Sequence, residues 1–546
     1  MTAKIARLTL LVTLSMAGCA QLPDSGPVER VVSAGSRTHG NVRYEPAPPR
    51  PGATPQQIVD GYLDAMLAYP EATAIVQSYL TPEADAGWRS TAGMTVYSSV
   101  ITEPGKATTK NAALRITARK LLTVDSSGQV TVNGPDVTRV LRLERVDGEW
   151  RIANPVPGYL VTREFADDYL RSYPLWYFDE SGERLVPELI HVVVSEQLPL
   201  TLTRRLAAGP RLSTLRTYLP GPDDLRVSIS GKIVNVDFQR VAGGSADKMA
   251  AQLISTLRGV AGLDGVRVLV DGAPQGDVHP IDAVVGFGPG PLATRAYALR
   301  GDRVVDVTSR VRAIGGPWGR SARNALAVAV DGEGIAAVLP GRTTVVAGPR
   351  QGGHVETFTG TGFADPSWDD AGWLWLIDHE GGTRVRIVRG GDVRTVSAGD
   401  LGMVGSFAVA PDRSRYAAVI RSGEEESVVV GAIEHNADGD PIRLLTPRVV
   451  SDKSAGERTV GWESPTRIGF VATGAAGQQL YSVGLDGADL STGDALMGGV
   501  QSWAGAAADR ADRWAADRRG QLWHREPGGP WRLKSHGRFR ALSSGR

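Results

Sequence analysis

Apolar side chains recur at helical spacing soon after residue 54. The segment Thr54-Pro55-Gln56-Gln57 precedes them, so Thr54 can cap a helix, Pro55 suits its first position and Gln57 can close a capping box. One helical face is then formed by Ile58, Val59, Tyr62, Leu63, Met66 and Leu67. This pattern predicts a helix that begins at Pro55, and Thr81-Pro82-Glu83 repeats the start signal ahead of Trp88.

From about residue 94 the apolar positions follow a period of two, which is typical of strands. The segment 137–146 alternates, and Asp147-Gly148 then turns the chain into Trp150-Arg151-Ile152, which predicts a hairpin. Two helices followed by a curved antiparallel sheet predict an α+β domain over residues 54–187. It resembles the NTF2-like, cone-shaped fold, in which a final hairpin of this kind is common.

A second α+β pattern occupies residues 188–276. The spacing predicts a strand over 188–195, a helix over 200–208, a hairpin over 225–238, a helix over 245–258 and a strand over 265–271. The order of four signatures resembles the GerMN domain: Leu206-Ala207-Ala208-Gly209-Pro210, Leu219-Pro220, residues 231–238 and residues 265–272. The resemblance implies an interaction module of bacterial envelope and spore proteins, without catalytic residues.

Helical periodicity is lost after about residue 280, and nine of the 12 tryptophans lie beyond that point. An acidic or polar turn followed by a short apolar strand recurs there at intervals of about 39 to 52 residues. The repeats begin near Asp331, Asp369, Asp412, Glu463 and Asp509. This pattern predicts an all-β propeller over 293–546, preceded by a linker over 277–292. Five blades are visible, and residues around 293–307 either supply a sixth or close the ring.

The amino-terminal segment resembles a bacterial lipoprotein signal. Lys4 and Arg7 are followed by a short apolar run, which ends at Met16-Ala17-Gly18-Cys19. The resemblance implies a signal peptide over 1–18 and a lipidated Cys19, with a diacylglycerol on the thiol and an acyl chain such as palmitate on the new amino terminus. The proline-rich segment 19–53 is then a tether, and the mature protein is anchored at the extracytoplasmic face of the cell membrane. The alternative is an ordinary secretory signal with an incidental cysteine.

Composition excludes several classes of protein. The net charge is +1, from 60 basic and 59 acidic residues, so no overall field favours nucleic acid as a partner. A single cysteine rules out an internal disulfide, a thiolate zinc site and a CxxC redox centre.

No catalytic, cofactor or metal residue is predicted. The sequence lacks the HExxH, GxSxG and Walker patterns, and its eight histidines are scattered singly. Three weaker signals have simpler interpretations: the glycine-rich segment 286–290 is a linker, Asp438-Gly439-Asp440 is a solvated turn rather than a calcium loop, and Asp378-His379-Glu380 is an exposed strand end. Trp373 and Trp375 share a strand face, which favours blade packing over a sugar platform.

The three parts in this order, behind the lipoprotein signal, resemble the LpqB-type lipoproteins of actinobacteria. The resemblance implies a non-enzymatic accessory of the MtrA–MtrB two-component system that binds the extracytoplasmic domain of the sensor kinase MtrB in cell-envelope and division control. A second class stays open, in which the propeller face binds or processes a cell-wall polymer.

We expect Cys19→Ser to leave the protein uncleaved or to release it from the membrane, because only the thiol can take the diacylglycerol. Detergent phase partitioning of cell fractions measures the change, and Ser33→Ala in the tether is the control. An unchanged distribution of the Cys19→Ser protein would contradict the prediction.

Overall fold

The computed structural model describes residues 46–545, apart from 70–72, 133, 240–245, 284, 333, 400, 454–459, 475–476, 493–494, 497 and 507–511. Residues Tyr44–Arg546 form one compact unit. Its three parts, each with its own core, are called here the amino-terminal domain (46–169), the Germane domain (170–280, the part whose sequence resembles the GerMN domain) and the propeller (295–545).

The amino-terminal domain combines short helices with one curved sheet. Its helices are α1 (Pro55–Ala65), α2 (Thr73–Ser78), α3 (Pro82–Gly87) and α4 (Arg163–Tyr169), with 3₁₀ turns at Met66–Ala68 and Ser90–Ala92. Its strands are β1 (Gly93–Ala107), β2 (Asn111–Asp125), β3 (Val130–Val132), β4 (Val137–Val146), β5 (Glu149–Ile152) and β6 (Tyr159–Thr162).

The predicted capping box is present at the start of α1. The Thr54 hydroxyl accepts the Gln57 N–H at 3.3 Å, and the Gln57 side chain accepts the Thr54 N–H at 2.9 Å. Thr81 caps α3 by accepting the Ala84 N–H. Both start signals are therefore confirmed, because caps depend only on neighbouring residues.

The sheet of this domain has the order β5-β4-β2-β1-β6, with β3 paired to β2. The expectation of a purely antiparallel sheet is wrong at one edge, because β6 runs parallel to β1. After the β4–β5 hairpin the chain crosses to the opposite edge, where Tyr159, Leu160 and Val161 are buried. The core between the sheet and α1 includes Ile58, Tyr62, Ile116, Leu141 and Ile152.

The Germane domain contains two sheets and two helices. Its strands are β7 (Leu170–Asp179), β8 (Leu185–Val193), β9 (Leu215–Arg216), β10 (Leu225–Ser230), β11 (Ile233–Phe238), β12 (Gly265–Val270), β13 (Ala273–Pro274) and β14 (His279–Pro280). Its helices are α5 (Leu198–Ala207) and α6 (Ala246–Leu257), with a 3₁₀ turn at Pro222–Asp224. One sheet has the order β10-β11-β12-β13 with β14 on β12, and the other has the order β8-β7-β9.

The β7–β8 hairpin packs into the core of the Germane domain. Leu175, Tyr177, Val186 and Ile190 share that core with the apolar faces of α5 and α6. The core of the Germane domain thus includes residues upstream of 188. The sequence pattern, in contrast, predicts that the domain starts at residue 188.

The propeller strands lie between Arg295 and Gly545. In chain order they are β15 (Arg295–Arg300), β16 (Arg303–Asp306), β17 (Arg312–Ala313), β18 (Ala327–Asp331), β19 (Gly334–Val338), β20 (Thr344–Pro349), β21 (Glu356–Thr359), β22 (Ser367–Trp368), β23 (Leu374–Asp378), β24 (Arg384–Arg389), β25 (Asp392–Val396), β26 (Met403–Val409) and β27 (Arg415–Ser422). They continue with β28 (Glu425–His435), β29 (Pro441–Leu444), β30 (Arg448–Ser451), β31 (Val460–Ser464), β32 (Arg467–Gly474), β33 (Gly477–Gly484), β34 (Ser491–Thr492), β35 (Val500–Ala506), β36 (Asp512–Asp517), β37 (Leu522–Arg525), β38 (Arg532–Ser535) and β39 (Phe539–Gly545).

Within the described residues these strands form six sheets arranged as the blades of a ring. The innermost strands β39, β18, β22, β26, β31 and β35 contact one another in that circular order. The first blade has the order β17-β16-β15-β39, so the last strand of the chain completes the blade with which the propeller begins. The sequence pattern did not decide between five and six blades. The segment near 293–307 supplies the sixth.

Acidic turn residues recur because their carboxylates organise the turns. Asp369 accepts the N–H groups of Ala371 and Trp373 at 2.9 Å and the indole N–H of Trp375 at 3.0 Å. Asp517 repeats the arrangement at the same spacings, with Arg519, Gln521 and Trp523. Both carboxylates are buried, and these hydrogen bonds offset the cost of removing them from water.

We expect Phe539→Ala to destabilise the propeller by about 3–5 kcal/mol, because a large side chain in the ring-closing strand is lost from the core. Phe539 is 1% exposed, whereas Leu533 on the neighbouring strand β38 is 41% exposed. Leu533→Ala is therefore the control, with an expected change within about 0.5 kcal/mol. Urea unfolding followed by tryptophan fluorescence measures both, and equal midpoints for the two variants would contradict closure through β39.

Candidate functional site

The described residues contain no group of three or more His, Cys, Asp or Glu side chains placed to hold a metal ion. At the predicted strand end, Asp378 is fully buried, so the expectation of an exposed carboxylate there is wrong. It forms ion pairs with Arg384 and Arg386, which project from the adjacent strand β24. The neighbouring His379 donates its Nε2–H to the Val404 carbonyl at 3.0 Å.

The turn at Asp438-Gly439-Asp440 is held by protein groups. The side-chain oxygen of Asn436 accepts the N–H groups of Asp438 and Asp440. The Asp440 carboxylate pairs with Arg394 at 2.5 Å and with Arg389 at 3.5 Å. Arginines thus occupy the oxygens that a calcium ion would need.

Trp373 and Trp375 are blade-packing residues. Each is only 1% exposed, and both belong to the core between the third and fourth blades. The Arg389 guanidinium lies 4.1 Å from the Trp373 ring centroid, a cation–π distance. No ring face remains open to stack on a sugar.

Cys19 lies outside the described residues, so its lipidation stays a prediction from sequence. Among the helices of the described chain, none is long and apolar enough to cross a membrane.

The feature that brings distant polar residues together is the strand β8, at the junction of the three domains. On one side it meets a turn of the amino-terminal domain: the His191 N–H donates to the Gly128 carbonyl at 2.7 Å, and the Gln129 side chain donates to the Leu189 carbonyl at 3.3 Å. Gly128 has a φ of +87°, and a Cβ there would lie 3.0 Å from the Ile190 side chain. Glycine is therefore needed for this close approach.

On its other side β8 meets the propeller through a buried pair. His191 Nε2 lies 2.7 Å from Asp486 Oδ2, and the two side chains are 5% and 4% exposed. Burial alone would raise the pKa of Asp486, but the hydrogen bond and charge of His191, together with the Ala488 N–H and Arg448, hold the pKa below its usual value. The carboxylate therefore stays ionised inside the junction.

Two propeller arginines reinforce the same junction. Arg415, in a buried ion pair with Asp412, donates to the Pro187 carbonyl at 3.1 Å. Arg448 donates to the carbonyl of Val130 in the amino-terminal domain and, at 2.5 Å, to that of Asp486. A single guanidinium thus connects the first domain to the third.

The end of the β7–β8 hairpin provides a further contact with the propeller. Arg184 forms an ion pair with Asp370 at 2.5 Å and donates to the Pro411 carbonyl at 3.2 Å. Gly290 passes so close that a Cβ would lie 2.3 Å from the Pro411 oxygen. The glycine-rich segment is therefore fitted into the interface.

The linker is also attached to the Germane domain. The Phe287 ring meets Phe178 edge-on with centroids 5.1 Å apart, and the Leu185 N–H donates to the Gly288 carbonyl at 3.2 Å. Lys248 lies over both rings. The interpretation of 286–290 as a connector rather than a phosphate loop agrees with these contacts.

Three cavities accompany this arrangement. The central channel of the propeller is walled by the inner strands, with Trp368, Trp462 and Trp503 among its lining. A cleft between the Germane domain and the propeller contains His435, whose pKa is lowered by burial and by the charge of Arg413. A third cavity, called here the junction cavity, lies where β8 meets the other two domains.

Comparison with known families yields three matches along the chain. A model described as "Lipoprotein LpqB, N-terminal domain" matches residues 48–167, the Germane model, described as "Sporulation and spore germination", matches 174–276, and "Lipoprotein LpqB beta-propeller domain" matches 298–539. The predicted order of domains is thereby confirmed.

Similar whole proteins carry the same family name. A protein named lipoprotein LpqB from Streptomyces avermitilis is 26% identical over 556 residues, covering 91% of this chain and 90% of that protein. Another from Thermobifida fusca is 28% identical over 410 residues, covering 68% of this chain and 65% of that protein. Among solved structures, the nidogen/laminin complex is similar to 46% of this chain and 97% of the matched chain, with 10% identity and a TM-score of 0.36, which supports no inference here.

We expect Asp486→Ala to lower the free energy of unfolding by about 3–5 kcal/mol, because it leaves buried partners without their acceptor. The pKa of Asp486 is lowered on folding, so its contribution is present above the unfolded value of 3.8 and is lost as the pH falls through the lower folded value. Urea unfolding at pH 7 measures the difference, with the exposed Asp452→Ala as the matched control. Equal destabilisation by the two variants would contradict the role of the pair.

Proposed function

The chain belongs to the LpqB family of lipoproteins, and from that premise we propose that it is a non-enzymatic, membrane-anchored accessory regulator of the MtrA–MtrB two-component system. In this proposal it binds the extracytoplasmic domain of the sensor kinase MtrB and contributes to cell-envelope and division control.

The observation that carries the proposal is the locking of the three domains into one body. His191 with Asp486, Arg184 with Asp370, and Arg448 with Val130 connect each domain to a neighbour. A regulator that changes a kinase by contact must present a rigid surface, since a contact shifts an equilibrium only through different affinities for the two states. None of the three matched family descriptions names a catalytic activity, and a binding role fits a body built in this way.

Anchoring to the membrane would raise the occupancy of such a contact. The lipid on Cys19 and the tether over 19–53 confine the body to the layer outside the membrane, where a sensor kinase displays its external domain. Confinement raises the effective concentration of the partner, so that even a contact of about micromolar affinity is well occupied.

The propeller face away from the linker is the surface we propose for the contact. Leu326, just before β18, is 41% exposed and Met403, at the start of β26, is 55% exposed. Both lie where inner strands begin, whereas residues 291–293 line the channel together with Asp331 and Gly545, where inner strands end. Apolar side chains that are exposed where inner strands begin are suited to a protein contact.

We expect phosphorylation of MtrA by MtrB to differ several-fold between membranes with and without this lipoprotein. The Cys19→Ser protein should capture the MtrB external domain in a pull-down. Met403→Asp should abolish the capture, because it places a charge in the apolar contact. Val393→Asp, the same change at a side chain 50% exposed on the outer strand β25, is the matched control.

Equal phosphorylation together with no capture would contradict the proposal. It would favour the second candidate function, binding or processing of a cell-wall polymer, for which the channel and its three tryptophans are the supporting observation. Retention of the protein on purified cell-wall polymer would then be the measurement to make.

A further inference from the structure

The junction cavity is walled mainly by apolar side chains. Leu189 and Leu212 come from the Germane domain, and Val430, Leu445 and Leu485 come from the propeller. Gln129 of the amino-terminal domain completes the wall, so a molecule in this cavity would contact all three domains.

The carboxylates of the cavity are already occupied by protein donors. Glu188 accepts the N–H groups of Arg211 and Leu212, each at 3.0 Å. Asp486 accepts from His191 and from the Ala488 N–H. Neither acid therefore needs a cation from outside.

The arginines are not balanced in the same way. Of the three that line the cavity, Arg415 is paired with Asp412. Arg448 donates only to backbone carbonyls, and neither Arg448 nor Arg211 forms an ion pair with a carboxylate of the described residues. Burial lowers the pKa of Arg448, the charge of Asp486 opposes that effect, and the charge of Arg211 adds to it by a smaller amount. Two guanidinium groups that form no ion pair thus lie beside an apolar space.

We propose that the junction cavity binds a small amphipathic anion, with its carboxylate or phosphate group between Arg211 and Arg448 and its apolar part against Leu189, Leu445 and Leu485. A guanidinium matches the oxygens of either anion, and an anion here would receive hydrogen bonds from two arginines that form no ion pair. The inference does not depend on the identity of the kinase partner.

Occupation of the cavity has a consequence for the whole body. A ligand that contacts three domains binds the assembled junction and not the separated domains. Its binding therefore stabilises the assembled form in proportion to its concentration and affinity. A small molecule in this cavity would therefore control the stability of the contacts between the three domains.

Calorimetry and thermal unfolding of the full mature chain carrying Cys19→Ser test the proposal, since that chain has no acyl group of its own to compete. The probes are decanoate, decyl phosphate, 1-decanol and inorganic phosphate, each below the concentration at which it aggregates. We expect the two amphipathic anions to bind and to raise the unfolding temperature, and the alcohol and inorganic phosphate to bind at least about tenfold more weakly. The order of decanoate and decyl phosphate identifies the head group.

Variants distinguish the cavity from general adsorption. Arg211→Gln should weaken binding of the preferred anion about tenfold without unfolding the protein, because Arg211 is exposed and its side chain forms no ion pair. Arg226→Gln, at an exposed arginine of β10, should leave binding unchanged. Leu445→Trp should block binding by filling the cavity while the arginines remain.

Four results would overturn the proposal. Binding of neither anion removes it outright. Equal binding of 1-decanol shows that the arginines contribute nothing, and equal binding of inorganic phosphate shows that the apolar wall contributes nothing. Binding that survives both Arg211→Gln and Leu445→Trp places the ligand elsewhere.

Discussion

The buried hydrogen bond between His191 and Asp486 fixes the position of β8, and the other contacts between the domains depend on that position. With β8 held against the propeller, its opposite side presents the His191 N–H and the Leu189 carbonyl to the turn at Gly128. The same placement brings Val130 within reach of Arg448. One pair of side chains thus positions the interface, and a backbone donor or acceptor takes part in each of these further hydrogen bonds.

Glycine has two different uses in the propeller. Some glycines occupy turns, as the composition suggests, but others make room between blades. A Cβ at Gly469 would lie 2.6 Å from the Trp503 ring, and one at Gly334 would lie 3.0 Å from the Trp368 ring. Large aromatic residues at the inner strands therefore pack against bare backbone of the preceding blade. The coincidence of dense glycine and frequent tryptophan in one part of the chain follows from this packing.

The features that could be predicted from the sequence are those set by neighbouring residues. The capping box at Thr54, the GerMN signatures and the acidic turn at Asp369 each depend on a few consecutive positions, and each is predicted from the sequence. The repeat predicted near Asp509 lies outside the described residues, and the turn at Asp517 was not predicted. The parallel edge strand β6 and the pairing of β39 with β15 depend on where the chain returns in space. The sequence pattern predicts that Asp378 is exposed. Its arginine partners lie on the next strand of the sheet, so no neighbouring residue indicated the ion pairs. His191 and Asp486 are 295 residues apart, and neither stands in a motif, so the junction had no local signal.

Because β39 completes the first blade, the propeller can finish folding only after the end of the chain has been synthesised. The amino-terminal and Germane domains contain all of their own strands and can fold before the propeller is complete. The strand β15, made at residues 295–300, must wait with an unpaired edge until residues 539–545 have been synthesised. During that interval the growing propeller presents an open strand to any neighbouring chain, which is the form most prone to wrong pairing. The most vulnerable period of the propeller therefore lies between the synthesis of β15 and the synthesis of β39.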